Sequence, residues 1–123
     1  MSRYVTILGT LALLSTASAA AAQNAPPTYV ADPSVYKVIF EDANFRVIAA
    51  TWKAGQTDKP HSHPVPSIVY ALDDCTLKLT APDGKTTNAT PKAGASNAVP
   101  IIASHTAENT GSTDCRAIFV ERK

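Results

Sequence analysis

The chain contains three histidines, and two of them, His61 and His63, stand one residue apart in the segment GQTDKPHSHP. On an extended strand, residues i and i+2 point to the same face, roughly 6–7 Å apart. Both imidazoles can therefore lean toward one point. Neutral imidazole nitrogen ligates divalent metals, at about 2.0–2.1 Å in the case of zinc. Two such ligands hold an ion weakly, so a third must come from elsewhere. His105, in the segment PIIASHTAEN 42 residues beyond His63, is the remaining histidine. These residue types predict a divalent metal held by His61, His63 and His105. Imidazole does not choose among iron, zinc, manganese, nickel and copper. The plainer alternative is three core histidines that only make hydrogen bonds.

Short β-like segments surround these residues. YKVIF, FRVIAATWK and SIVYALDD are rich in β-branched and aromatic side chains. CTLKLTA alternates polar and apolar residues, the period-two pattern of a half-buried strand. Asp83-Gly84 accepts positive φ and predicts a hairpin turn into TTNAT. NAVPII, SHTAEN and CRAIFVE read as further strands. No segment after the first 22 residues sustains apolar residues at i, i+3, i+4 and i+7. Short strands at regular spacing with turn residues between them predict an all-β sandwich or barrel.

Two segments together resemble the paired motifs of the cupin superfamily. GQTDKPHSH fits G-x5-H-x-H from Gly55 to His63. GASNAVPIIASHTAEN places Gly94, Pro100, His105 and Asn109 at the spacing of the second motif. The resemblance runs from about residue 35 to the end and uses every histidine. It implies a single jelly-roll β-barrel with the histidines pointing into its mouth. Two departures stand out. The glutamate of the first motif would fall at Ser67 or Ile68, and Ile102 and Asp74–Cys75 occupy motif glycine positions. The missing glutamate bears on the metal directly. Three histidines without a carboxylate resemble cupins that oxidise thiols at iron(II), and the extra positive charge left on an ion favours anionic ligands.

Few other carboxylates could replace it. Asp58 precedes His61 by three residues in a loop that could fold back. Glu108 is offset from His105 by an odd number and turns to the opposite face. Asp73 and Asp74 lie too far along their strand. Ser67 shares a face with His63 and is a candidate pocket residue able to bond a substrate or water, though polar filler is its plainer role. Val65, Val69 and Ala71 are expected beside it on the barrel face. Tyr70 is expected to face outward, Asn109 to tie a strand end to a loop, and Trp52 either to line the pocket or to cover the sheet.

The first 22 residues read as a cleavable signal peptide: Arg3, an apolar run over residues 5–14, then small residues, with cleavage after Ala19 or Ala22. The run is short of the ~20 apolar residues that span a bilayer, so no membrane span is expected in the mature chain. Residues 23–34 carry three prolines and read as an extended arm or loose terminus, and residues 35–123 as the barrel domain. Loss of Arg3 leaves ten basic and ten acidic residues, with no basic stripe for nucleic acid. Cys75 and Cys115 permit a disulfide closing a loop of about 40 residues in a periplasmic or secreted protein; two buried thiols are the alternative. The resulting functional readings are a metal-dependent oxygenase or isomerase on a small polar substrate, a non-catalytic small-ligand binder, and a structural barrel. The arm and the sheets make a homodimer a further expectation.

Overall fold

The computed structural model describes residues 24–123. The expected signal peptide lies outside the described residues. The chain is built from strands β1 (Tyr36–Glu41), β2 (Phe45–Trp52), β3 (His61–His63), β4 (Ser67–Ala71), β5 (Leu77–Thr80), β6 (Thr86–Ala89), β7 (Ser96–Val99), β8 (Ile102–Asn109) and β9 (Cys115–Arg122). They form two antiparallel sheets, β1-β2-β9-β4-β7 and β3-β8-β5-β6. The all-β reading therefore holds. The predicted turn at Asp83-Gly84 joins β5 to β6, with Gly84 at φ +85°.

Strand alternation builds the core. Along β2, Ile48, Ala50 and Trp52 are buried, and along β9, Cys115, Ala117, Phe119 and Glu121 are. Ala50 pairs with Ala117, and Ala117 with Ala71, so inward residues of three neighbouring strands form a row. The small side chains of that row leave room for Tyr36, Trp52 and Phe119, whose rings meet at 5.5 and 6.3 Å. Edge-on contacts of this kind suit the aromatic quadrupole.

Three local expectations need correction. NAVPII is not one strand: β7 ends at Val99, and Pro100 and Ile101 form a break before β8. Proline has no N–H for a ladder, which explains the interruption. The fifth strand begins at Leu77 rather than Cys75. The arm is also not a loose terminus. It contains a short helix, α1 (Thr28–Ala31), and lies along β3. Ala25 N–H donates to the carbonyl of Ala103 at 3.0 Å, and Ser62 N–H to that of Pro26 at 2.8 Å. The adjoining Asp32 accepts the N–H of Lys59 at 3.1 Å. The arm thus covers the chain's own histidine strand.

Candidate metal centre

β3 and β8 are neighbours, and their register sets His61 opposite His105. The next pairing is His63 with Ile102, so β8 carries one extra residue between the two pairs. Such an irregularity shifts which side chains face inward. Ile102 consequently lines the interior while Ala103 is exposed. His61 and His63 sit two residues apart on one strand, and both rings enter the barrel, 0% and 3% exposed. Ring centroids are 4.6 Å apart for His61 and His105 and 5.2 Å for His63 and His105. One nitrogen from each ring lies within 4.8 Å of the others.

The hydrogen bonds define which nitrogens are available. Nδ1 of His61 donates to the carbonyl of Lys59 at 2.9 Å, which leaves Nε2 bare in the neutral ring. The hydroxyl of Tyr36 donates to Oδ2 of Asp58 at 2.7 Å, so its oxygen turns a lone pair toward Nε2 of His61, 3.4 Å away. Nε2 of His63 and Nε2 of His105 approach to 3.2 Å. Without an ion, one of that pair must lend the other its proton. A cation can replace the shared proton and satisfy the converging lone pairs together. Burial, then the neighbouring histidines, lowers the His63 pKa to about 3. Burial and His61 lower that of His105 to about 4, against the opposing charge of Asp58. Both rings are thus neutral at pH 7, so an entering metal meets no imidazolium charge and only the shared Nε2 proton has to move. This donor set fits a divalent metal.

Asp58 does fold back, as a support. It is 4% exposed. Its Oδ2 accepts from the Trp52 indole at 2.9 Å as well as from Tyr36, and its Oδ1 accepts the Ala107 N–H at 2.7 Å. Oδ1 also lies 3.5 Å behind Nδ1 of His61. Its lone pairs are spent on these donors, and it stands behind the histidine cluster instead of within it. Trp52 therefore faces inward. Tyr36, Phe119 and this role for Asp58 escaped the sequence reading. The alternation Ile48, Ala50, Trp52 could have placed the indole; nothing in the sequence places a loop carboxylate beneath it.

The remaining residues fall as follows. Ser67 is buried on the inner face and is not among the residues lining the cavity beside the histidines. It begins β4, one row beyond Val69 and opposite Glu121, and its hydroxyl has no partner among the described residues. Val65 likewise does not line the cavity, whereas Val69 and Ala71 do. Glu108 faces away and pairs with Lys78 at 2.8 Å. Asp73 pairs with Arg116, and Asp74 stays at the surface. Tyr70 is exposed on the outer face. Asn109 ties the end of β8 to neighbouring segments, donating to the carbonyls of Trp52 and Thr113 at 3.1 and 2.8 Å. A disulfide joins Cys75 to Cys115. The histidines open into a cavity of about 430 Å³.

No family model matches this sequence, and no curated protein matches it either. Solved structures do. A cupin domain from Bordetella pertussis superposes with TM-score 0.67 at 19% identity, over 83% of this chain and 99% of that one. An RmlC-like cupin with a double-stranded β-helix fold from Methanocaldococcus jannaschii gives 0.58 at 16%, over 72% and 78%. A polyketide cyclase from Streptomyces resistomycificus gives 0.54 at 20%, over 71% and 63%. Two facing antiparallel sheets with a histidine cluster between them, matched to these structures, define the fold: this chain has the cupin fold. At these identities the likeness describes architecture and assigns no activity.

Proposed function

We propose that this chain is an exported cupin, with residues 1–22 as its signal peptide and 35–123 as its barrel, that binds a divalent metal through His61, His63 and His105. The observation that carries this reading is the convergence of three imidazoles, two buried and one half-buried, whose nitrogens lie within 4.8 Å of one another. A metal held there would supply Lewis-acid or redox chemistry to a small molecule in the cavity, as in an oxygenase or isomerase. The protein's own share is to hold His61 through Lys59 and to seat Tyr36 and Trp52 on Asp58, while the barrel excludes water. The disulfide supports export, because such bonds persist in oxidising compartments such as the periplasm or exterior.

Non-catalytic ligand binding is the second reading, and one observation favours it. Among the described residues the cavity wall has no carboxylate, and the Tyr36 proton is engaged by Asp58, so none of them stands beside the histidines as a free general acid or base. We also propose pairing of two copies through the outer face of the larger sheet.

Elemental analysis of the protein isolated from its native compartment, beside a His61→Ala/His63→Ala/His105→Ala variant, tests the metal. Near one equivalent of metal in the wild type and almost none in the variant is expected. Equal, near-zero metal in both refutes it. Oxygen uptake or substrate loss by the loaded protein then separates enzyme from binder.

A further inference from the structure

The cavity wall above the histidines is hydrocarbon. Val69, Ala71, Leu77, Leu79, Val99 and Ile102 supply its sides, drawn from both sheets. The polar side chains Thr90 and Asn97 are exposed and stand only at its mouth. Among the described residues Arg116 is the one lining residue with a permanent charge, and that charge is already paired. Its Nε and Nη2 donate to Asp73 at 2.8 and 2.9 Å, and its backbone N–H donates to the same carboxylate at 3.0 Å. Asp73 largely offsets that charge, and the guanidinium is exposed to solvent at the cavity's edge instead of buried in its wall.

The histidine end has the opposite character. Three neutral imidazoles leave the charge of a divalent ion uncompensated by any direct ligand. The nearest carboxylate, Asp58, lies behind His61 with its oxygens occupied. A buried positive centre of this kind favours a ligand that brings a negative oxygen. Along the wall, a second charged or strongly polar group would lose water and gain no partner.

We infer that the ligand of this centre is a small, largely apolar molecule with a single anionic oxygen head, the head at the histidines and the hydrocarbon body along the wall. The head rests on the metal reading given above; the body rests on the wall alone. This departs from the polar substrate expected from the sequence, which the residues of β5, β7 and β8 could not specify until their inward faces were known.

Calorimetric titration of the zinc-loaded protein with simple carboxylates tests it. Affinity should rise from acetate through butanoate to hexanoate, by roughly fourfold for each methylene fully buried and at least tenfold across the series. Succinate should bind at least tenfold more weakly than butanoate, which has the same chain length and one charge fewer. Leu79→Asn should shrink the hexanoate-to-acetate ratio without changing zinc stoichiometry. A flat chain-length series with zinc bound, or succinate binding tighter than butanoate, overturns the apolar body. Butanol binding as well as butanoate, with zinc and after chelation alike, overturns the anionic head and leaves the body standing, whereas failure of the protein to load zinc at all overturns the metal reading.

Discussion

The hydroxyl of Tyr36 donates to Asp58 at 2.7 Å while its oxygen faces Nε2 of His61 at 3.4 Å, so one buried carboxylate sets the orientation of a neighbour of the histidine cluster. The same carboxylate takes the Trp52 indole and the Ala107 amide. Asp58→Ala would leave three buried donors unpaired, at about 1–3 kcal/mol each before relaxation. The expected loss is on the order of 3–5 kcal/mol, read from urea denaturation. Asp58→Asn keeps the shape but turns an amide toward one of the donors. It should fold with a smaller loss and bind zinc about 10–100-fold more weakly, as expected for a group behind a ligand. Unchanged zinc affinity in Asp58→Asn would confine Asp58 to a structural role.

The Cys75–Cys115 bridge ties the loop after β4 to the start of β9, closing 40 residues. In the chain-entropy model a loop of that length is worth about 4 kcal/mol. Both cysteines line the cavity, so the bridge also fixes part of its wall. Cys75→Ser/Cys115→Ser should lower the urea midpoint, and dithiothreitol should lower that of the wild type to a similar value. A midpoint indifferent to reductant, together with two titratable thiols in the protein isolated without reductant, would contradict the bridge.

Much of this architecture was legible in the sequence for a simple reason. Side-chain alternation and turn residues are local, and CTLKLTA or Asp83-Gly84 states its role without help from the rest of the chain. The histidines were legible because there are only three, at spacings that a strand converts to a shared face. The Asp58 network was not, because it depends on how the loop from Lys53 to Pro60 packs under β8, a contact between residues 49 positions apart. The arm was misread for a related reason. Its prolines exclude regular pairing within the segment but say nothing of the amides of Ser62 and Lys59 that its carbonyl and carboxylate groups satisfy. For Ser67, parity fixes the side of the sheet, whereas its depth requires the register with β9, which sets it opposite Glu121.

Glu121 is buried opposite Ser67 and receives only a long contact, 3.4 Å, from Arg46. Arg46 gives its shorter bond, 2.8 Å, to Glu41, whose pKa Arg46 and Lys123 hold down at about 2. Burial raises the pKa of Glu121, with Arg46 opposing. The folded chain therefore binds the proton more tightly than the unfolded chain. Stability from this group is full below its unfolded pKa and is lost as pH rises through the folded value. Glu121→Gln removes the titration while keeping the shape. It should melt higher than the wild type at pH 7, with the difference closing as the pH falls toward 4. A variant less stable than the wild type at pH 7 would show that the pair with Arg46 outweighs the burial cost.

The outer face of the larger sheet carries an apolar row across all five strands. Phe40 pairs with Val47, Val47 with Val120, Val120 with Ile68, and Ile68 with Ala98. Tyr70 and Ile118 extend the patch on the next outward row. Phe40, Ile68 and Tyr70 are 53%, 49% and 43% exposed, a concentration unusual for a surface that meets only water. The arm is engaged by its own barrel, so this face is the better place for a two-fold contact between copies. Light scattering after size exclusion should give twice the mass of a single chain for the wild type. Ile68→Lys sets a charge at the centre of the row, where a half-exposed position tolerates it in the monomer within about 0.5 kcal/mol. That variant should elute as a monomer with its melting temperature little changed at high dilution. A wild type that stays monomeric at tens of micromolar would leave the patch without a second copy to cover it.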